Sequence, residues 1–342
     1  MRKIHLGKTP LAILALLLVI LLCLSHFLYP SARFESAHIA GMGTIVSFTV
    51  KMTEGEDGNA VDVLAPLLFD LEGALSHRKE GSVAFRLNMG ETVEADAHFL
   101  SMLSLCTSVE EKTNGRFSVL LLPLTSLWNF DGDRAVPPGT DEIAEARAAV
   151  QGGALRIEGT NVTLTGGALL DLGAVGKGYA ADRLADALRA RGEEGLIAVG
   201  GSITAVGQKD GSAWQVGVRD PHGASINDIL GTLALSDLSV STSGDYEKCF
   251  TYEGVSYHHI LDPETGYPAQ STLSSVTVIA ESGTLADILS TACFLVGEEA
   301  ALSLARAYGA EIILVRKDGK VIVSQGANAL FTPRDGSTVT VR

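Results

Sequence analysis

Three separated stretches of the sequence carry side chains that suit the chemistry of a metal-bound phosphate group. They lie at residues 171–182, 257–268 and 282–297. The first offers a glycine-rich turn before a helix, the second a histidine beside a rigid turn, and the third a carboxylate and a hydroxyl one helical turn apart. A helix N-terminus attracts anions because its free N–H groups and its dipole both favour negative charge. The three stretches together therefore suit a metal-bound pyrophosphate.

The first stretch reads DLGAVGKG at residues 171–178, where we expect a strand to end and a helix over 177–191 to follow. It is neither a Walker loop nor a Rossmann fingerprint, because Asp171 replaces the first Walker glycine and the G-x-G-x-x-G order is absent. Lys177 adds a positive charge to the start of the helix. Glycines near a helix start also serve close packing, so the residues alone leave anion binding and packing equally open.

The third stretch places a carboxylate and a hydroxyl on one side of a predicted helix over 285–296. Asp287 and Thr291 are four residues apart and therefore face the same way. Magnesium prefers oxygen ligands in octahedral geometry and usually takes one or two carboxylates, leaving other positions to water and phosphate. An aspartate near the start of a helix more often caps the helix or complements its dipole. From the residues alone, capping is the favoured interpretation and magnesium binding the alternative.

The second stretch contains two adjacent histidines before the turn DPETGYP of residues 262–268. Proline and glycine at turn positions determine its backbone conformation, and we expect Asp262 to hold the turn rather than to act in catalysis. His258 and His259 are both candidates for a general base, because imidazole titrates near neutral pH and can accept a proton from a hydroxyl. The alternative for either residue is a hydrogen-bonded structural histidine at a strand end, which we expect of His258.

The charge and composition limit the class of protein. The 342 residues carry a formal net charge of −14, which argues against a nucleic-acid partner because phosphate backbones are bound by clustered Lys and Arg. A polyanionic substrate would therefore need a metal ion or a local cationic pocket. Charged residues make up 19% and apolar residues 46% of the chain, as in a globular protein. The length allows two domains of roughly 150 residues each or one larger two-lobed unit.

Residues 1–30 form a predicted targeting segment that lies outside the globular fold. An apolar run over 11–29, interrupted only at 25–26, just reaches the ~20 residues that a transmembrane helix needs. Basic residues precede the run, so the positive-inside rule predicts a single anchor in the cell membrane with the globular part outside the cytoplasm. A cleaved signal peptide and a lipoprotein modified at Cys23 are the alternatives, although neither processing site is well formed. All three imply export.

Hydrophobic periodicity and turn residues predict the elements of the globular part. Expected strands lie at 45–52, 196–199, 214–218, 230–235 and 275–279, hairpins at 155–165 and 311–324, and further helices at 60–76 and 97–113. Runs of strands with few helices between them indicate an α+β fold of antiparallel or mixed sheets. Cys106, Cys249 and Cys293 have no C-x-x-C spacing, so we expect buried free thiols rather than disulfides or zinc ligands.

The order of these motifs resembles that of the ApbE-like FAD:protein FMN transferases. The family patterns D-x-G-x-x-x-K-G-Y/F-A-x-D and A-D-x-x-x-T match residues 171–182 and 286–291. Further segments similar to the family are 42–44, 76–88, 115–128, 196–201 and the turn over 262–268. The resemblance implies a flavin transferase domain over 34–342, built as a two-lobed α+β body of antiparallel or mixed sheets with flanking helices. The nucleotide would lie in a cleft between the lobes.

The resemblance also implies roles for individual residues. A magnesium ion would be bound by the backbone carbonyl of Ala174 and by the side chains of Asp287 and Thr291. His259 would be the catalytic base. Contacts to the flavin nucleotide are implied for Met42, Arg78, Arg116, Phe117, Ser118, Asp171, Lys177 and Ile260.

The reaction implied by the resemblance is the transfer of FMN from FAD, the substrate, to a Thr or Ser hydroxyl of an acceptor protein. Magnesium would be the cofactor and AMP the leaving group, and the acceptor would be an exported or membrane-bound redox protein. The chain departs from the family pattern at Arg78 in place of a tyrosine, Ser118 in place of an aspartate, and Ser202 in place of Asp or Asn. These departures leave open a magnesium-dependent FAD pyrophosphatase, with water as the nucleophile, or an exported flavin-binding protein without turnover.

Overall fold

The structure is a computed structural model, and it describes residues 33–52, 60–132 and 135–342. The predicted anchor or signal segment at 1–30 lies outside these residues, and its role stays a prediction. Within the described ranges, no helix is both long enough and apolar enough to cross a membrane.

The described residues contain 17 β-strands and nine α-helices. The strands are β1 (Phe34–Gly41), β2 (Thr44–Lys51), β3 (Val93–Glu94), β4 (Ala154–Glu158), β5 (Asn161–Thr165), β6 (Gly195–Val199), β7 (Ser202–Val206), β8 (Trp214–Arg219), β9 (Ile229–Leu235), β10 (Ser239–Gly244), β11 (Cys249–Tyr252), β12 (Val255–His258), β13 (Leu273–Ala280), β14 (Glu311–Arg316), β15 (Val321–Val323), β16 (Phe331–Pro333) and β17 (Val339–Val341). The helices are α1 (Ala60–Leu75), α2 (Val83–Asn88), α3 (Ala97–Lys112), α4 (Leu122–Trp128), α5 (Thr140–Gly152), α6 (Gly176–Ala190), α7 (Gly283–Val296), α8 (Glu298–Ala307) and α9 (Gln325–Leu330). The predicted α+β class is confirmed.

Nine strands of the described chain form the main sheet, in the order β1-β2-β6-β7-β10-β13-β14-β15-β17. Neighbouring strands pair antiparallel, apart from the parallel pair of β15 and β17 at one edge. Across the pair of β7 and β10, Ser202 lies opposite Ser241 and Thr204 lies opposite Ser239. Smaller sheets are β16-β9-β8, β3-β5-β4 and the hairpin β11-β12. The predicted antiparallel or mixed sheets are thus present.

The two faces of the main sheet are covered by different layers. Helices α6 and α7 pack on one face, where they enclose the largest hydrophobic cluster. The sheet β16-β9-β8 packs on the other face through a second cluster that includes Trp214 and Leu233. Strand β13 is buried along its whole length because both of its faces are covered.

A third hydrophobic cluster supports the turn that carries the histidines. Trp128 of α4 is fully buried, and its indole N–H donates to the Gly266 carbonyl at 2.8 Å. The aromatic rings around it are those of Phe130, Phe250, Tyr257 and Tyr267. Leu261 packs in the same cluster. This packing holds residues 258–268 against the rest of the protein and so determines where the two histidines lie.

The predicted helices, strands and hairpins agree with the structure to within two residues at each end. Two other expectations are wrong. No strand leads directly into the glycine-rich stretch: β5 ends at Thr165, and residues 168–172 form a loop in which the Asp171 N–H donates to the Val119 carbonyl at 2.7 Å. Cys249 is exposed on the β11–β12 hairpin rather than buried, whereas Cys106 and Cys293 are buried free thiols as expected.

Candidate active site

Helices α6 and α7 approach each other closely enough to require glycine between them. A Cβ atom at Gly178 would lie 2.1 Å from the Gly283 carbonyl oxygen and 2.6 Å from the Asp287 Cβ, which close packing cannot accommodate. Asp182 of α6 accepts hydrogen bonds from the backbone N–H groups of Gly283, at 2.6 Å, and Thr284, at 2.8 Å, and so caps α7. These contacts bring the first and third sequence stretches together.

Asp287 lies between the two helices and the sheet, with 3% of its surface exposed. Its Oδ2 accepts from the Gly178 N–H at 2.9 Å, and its Oδ1 lies 2.8 Å from Ser241 Oγ and 3.1 Å from Ser202 Oγ. Lys177 Nζ is 4.0 Å from Oδ1. Gly178 belongs to the first turn of α6, where N–H groups have no partner within the helix. Asp287 therefore caps α6 rather than its own helix.

Thr291 lies one turn further along α7, on the same side as Asp287. Its Oγ1 is 3.0 Å from Ser243 Oγ, and Ser243 Oγ is also 2.8 Å from Ser290 Oγ. Ala174 belongs to the turn over 173–175 that leads directly into α6. The three residues implied as magnesium ligands thus belong to two neighbouring elements, the turn before α6 and helix α7.

The donor atoms at this helix contact suit magnesium. The oxygens are of the carboxylate, hydroxyl and backbone kind, which this ion prefers. In the described part of the chain, no three His, Cys, Asp or Glu side chains form a metal-binding group. A magnesium site of the implied kind needs only one carboxylate, because water and substrate phosphate complete its coordination. The residues present therefore fit a magnesium ion that is shared with a bound substrate.

His259 directly follows β12 and lies near two positively charged side chains. Its Nδ1 is 3.2 Å from the Glu247 carbonyl oxygen. Burial, and then the charges of Lys177 and Lys248, lower the pKa of His259 to about 4. The imidazole is therefore neutral at pH 7. Because a carbonyl oxygen can only accept a hydrogen bond, Nδ1 carries the proton and Nε2 is able to accept one.

His258 has the surroundings of a structural histidine. It is buried, its Nε2 is 3.1 Å from the Ala269 carbonyl oxygen, and its ring packs edge-on against Phe294 at 5.7 Å. Burial lowers the pKa of His258 as well. Asp262 has the contacts expected of a turn residue, since its Oδ1 accepts from the Glu264 N–H at 2.9 Å.

The glycine-rich turn is held by Asp171. Its Oδ1 accepts from the Gly173 N–H at 2.8 Å, and its Oδ2 accepts from Thr125 Oγ1 at 2.5 Å. Lys177 Nζ donates to the Gly173 carbonyl at 3.2 Å. Lys177 also approaches Asp287 and influences the pKa of His259, so it connects all three sequence stretches.

Arg78 reaches the same region from the segment after α1. Its Nη2 lies 3.7 Å from Asp131 Oδ2, and Lys248 Nζ lies 2.6 Å from Asp131 Oδ1. The hydrogen bond from Lys248 is the main cause of the lowered pKa of Asp131, and the positive charge of Arg78 adds to it. Asp131 therefore lies between the exposed Arg78 and Lys248, and Lys248 is one of the two charges near His259.

The other residues implied in nucleotide binding have contacts within the protein. Buried in the interior are Phe117, Ser118 and Ile260. Arg116 Nη2 pairs with Asp262 Oδ2 of the turn at 3.1 Å. Met42 lies at the tip of the β1–β2 hairpin, and its N–H donates to Glu72 Oε1 at 3.0 Å. Their contacts with a flavin nucleotide stay predictions.

The sequence reasoning missed the serines that surround the two α7 side chains. Ser241 and Ser243 are not among the candidates, and Ser202 is noted only as a departure from the family pattern. A signal was available, because β10 reads SVSTSG and has serine at every second position. Period two in a strand places such residues on one face. Lys248 was also missed, and no local pattern marks it.

The sequence is similar to known flavin transferases over most of its length. A family model described as the ApbE family matches residues 42–314. The FAD:protein FMN transferase of Treponema pallidum (strain Nichols) is 35% identical over 312 residues, which covers 83% of this chain and 85% of the relative. The FAD:protein FMN transferase of Vibrio cholerae serotype O1 is 30% identical over 298 residues, covering 83% of this chain and 88% of the relative.

Solved structures agree with the sequence comparison. The ApbE protein of Thermotoga maritima has a TM-score of 0.79 at 30% identity, covering 88% of this chain and 100% of the other. The flavin transferase ApbE from Vibrio cholerae has a TM-score of 0.76 at 26% identity, covering 87% and 100%. Because the family model spans most of the sequence and the relatives align over most of their own length, this chain belongs to the ApbE family of flavin transferases.

Proposed function

We propose that this chain transfers FMN from FAD to a Thr or Ser hydroxyl of an acceptor protein, with AMP as the leaving group and magnesium as the cofactor. The relatives named FAD:protein FMN transferase support the flavin transfer itself. The convergence of Lys177, Asp287 and His259 supports this site, since Lys177 Nζ lies 4.0 Å from Asp287 and its charge helps to lower the pKa of His259. A cation, a carboxylate and a neutral imidazole suit a transfer between phosphates, which depends on positioning and electrostatics.

His259 is the general base in this proposal. The acceptor hydroxyl gives its proton to Nε2, while Nδ1 keeps its own proton on the Glu247 carbonyl. The acceptor oxygen forms a bond to the phosphorus on the riboflavin side, and the bond from that phosphorus to the oxygen of the AMP phosphate breaks. The products are FMN joined to the acceptor through a phosphoester bond and free AMP.

The start of α6 binds and orients the pyrophosphate in this proposal. Lys177 supplies positive charge, and the helix dipole favours an anion at the same end. Ala174, Asp287 and Thr291 would hold a magnesium ion, which when bound neutralises the charge that develops on the leaving phosphate.

The proposal is tested by the mass of an acceptor protein. Incubation of the full chain with FAD, Mg²⁺ and a candidate exported redox protein should add the mass of FMN to a Thr or Ser and release AMP in equal amount. Replacing that acceptor residue by Ala should abolish the gain. FMN and AMP released without attachment would establish a pyrophosphatase instead, and FAD that stays intact over hours would establish a flavin-binding protein.

A further inference from the structure

Strand β10 presents three serines toward helix α7. We call Ser239, Ser241 and Ser243 the serine row. They share one face because side chains alternate along a strand. Two residues of a strand span ~6.7 Å, and four residues of a helix span ~6 Å. Successive members of the row can therefore contact side chains one helical turn apart on α7.

The observed contacts follow this spacing. Ser241 Oγ lies 2.8 Å from Asp287 Oδ1, and Ser243 Oγ lies 3.0 Å from Thr291 Oγ1. Ser239 Oγ contacts a threonine of β7 instead, at 3.0 Å. Two members of the row thus each hold one of the proposed magnesium ligands, and the third holds neither.

The hydrogen bonds at Asp287 have a preferred direction. Each hydroxyl has one hydrogen to donate, and a carboxylate oxygen accepts. Ser202 Oγ lies 2.9 Å from Ser241 Oγ but 3.1 Å from Asp287 Oδ1, and Ser241 Oγ lies 2.8 Å from Oδ1. Ser241 and Ser202 both donate to Oδ1, because a carboxylate oxygen can only accept. The two hydroxyls and the Gly178 N–H hold the carboxylate and leave a lone pair on Oδ2 for a cation.

The hydrogen bonds at Thr291 also have a defined direction. Ser290 Oγ donates its hydrogen to the Asp287 carbonyl at 2.9 Å. Ser243 therefore donates to Ser290, across 2.8 Å, and accepts from Thr291, across 3.0 Å. The Thr291 hydrogen points to the serine row, so the lone pairs of Thr291 Oγ1 are available to a cation.

We infer that Ser241 and Ser243 are positioning residues that orient the Asp287 carboxylate and the Thr291 hydroxyl for a divalent cation, with Ser202 as a second donor to Asp287. The inference rests on the proposed function, because it assigns the supporting residues of the same site. Removing such partners of metal ligands typically lowers metal affinity by ~10–100-fold. Ser239 is the matched control, because it belongs to the same row and is as fully buried as Ser241, 0% in both cases.

The experiment measures how FAD binding to the full chain depends on Mg²⁺. FAD fluorescence is followed at a fixed, subsaturating FAD concentration while Mg²⁺ is added to the wild type and to Ser241→Ala, Ser243→Ala and Ser239→Ala. We expect the half-saturating Mg²⁺ concentration to rise ~10-fold or more in Ser241→Ala and severalfold in Ser243→Ala. Ser239→Ala should stay within about twofold of the wild type, and saturating Mg²⁺ should restore FAD binding in every variant.

Thermal unfolding without Mg²⁺ separates loss of stability from loss of metal affinity. Ser239→Ala should lose some stability because it leaves the buried Thr204 hydroxyl without this partner, and Ser241→Ala should lose more because it removes a hydrogen bond to a buried carboxylate. Ser243 is only half-buried, so Ser243→Ala should disturb folding less. If Ser241→Ala does not fold, the half-saturating Mg²⁺ concentration of Ser243→Ala tests the inference. The inference on the serines would be overturned if the half-saturating Mg²⁺ concentration stayed unchanged in Ser241→Ala and Ser243→Ala, or if it rose equally in Ser239→Ala. Either result would leave the proposed function standing. If FAD binding by the wild type did not depend on the Mg²⁺ concentration, the magnesium part of the proposed function would be overturned as well.

Discussion

The proposed proton transfer depends on a single atom of His259. The contact between Nδ1 and the Glu247 carbonyl leaves Nε2 as the nitrogen that accepts a proton. Burial and the neighbouring charges of Lys177 and Lys248 keep the pKa of this imidazole at about 4, so the base is deprotonated at pH 7 without any help from substrate. The kcat/KM profile reports this group, because it reflects ionisations of the free enzyme.

On the acid side, kcat/KM should therefore begin to fall only at a pH below the usual pKa of a histidine. His259 stays neutral as pH falls from 7 to 5, so kcat/KM of the wild type should change by less than about twofold over that interval. Lys248→Gln removes a positive neighbour, which raises the pKa of His259 and moves this fall to higher pH. The measurement is the pH profile of FMN transfer by both proteins. A wild-type fall in kcat/KM centred near the usual histidine pKa, and unmoved in Lys248→Gln, would contradict this interpretation.

At the scale of residues, the sequence predicts the relative placement of the two proposed metal ligands better than it predicts the residues around them. The spacing of Asp287 and Thr291 is sufficient to place both on one side of a helix. The period-two serines of β10 place Ser241 on one face of a strand, but no local rule brings Ser202 and Ser241 to Asp287, because those contacts depend on strand pairing. Capping was expected of Asp287 within its own helix, but Ser282 is the N-cap of α7, so Asp287 is free to cap α6.

At the scale of elements, the contact of α6 with α7 brings the site together. Gly178 lies where the two helices are closest, and Asp287 and Asp182 each cap the start of the opposite helix. The sequence left packing and anion binding open for the glycines of 171–178. The structure supports packing for Gly178, and it leaves anion binding at the same helix start as part of the proposal.

Gly178→Ala should separate the two helices. The added Cβ meets backbone and Cβ atoms that cannot rotate away, so we expect a loss of ~1–3 kcal/mol in the free energy of unfolding and a fall in FMN transfer. Gly176→Ala is the control for stability, because its Cβ would lie 3.6 Å from Met42 Cε, an ordinary contact in the same turn of α6. Denaturant unfolding of both variants measures the difference. Equal free energies of unfolding for the two variants would show that α6 and α7 leave room for a Cβ atom at Gly178.

Strand β10 shows which elements local patterns miss. Its sequence SVSTSG lacks the alternation of apolar and polar residues that predicts a strand, because the face toward α7 is a row of serines. That face is buried at Ser239 and Ser241 and is satisfied by hydrogen bonds from distant parts of the chain. Helix α6, by contrast, was predicted because its buried residues recur at helical spacing.

At the scale of the whole molecule, the class of the fold was predictable and the order of the strands was not. Runs of strands with few helices indicate α+β, as found. The pairing of β2 with β6, which lies far along the chain, follows from no local pattern. That pairing matters for function, because the sheet carries β7 and β10 beneath the helix contact and so positions their serines against α7.

Replacing Asp287 tests most directly whether the joined ends of α6 and α7 transfer FMN. In Asp287→Asn, the initial rate of FMN attachment to an acceptor protein, measured by mass spectrometry, should fall by ~100-fold or more, since a bound metal ion contributes several kcal/mol. Asp186→Asn is the control, because this exposed carboxylate of α6 pairs only with Arg183 and Arg189 among the described contacts. It should attach FMN at nearly the wild-type rate. Attachment by folded Asp287→Asn at the wild-type rate would contradict the proposed site.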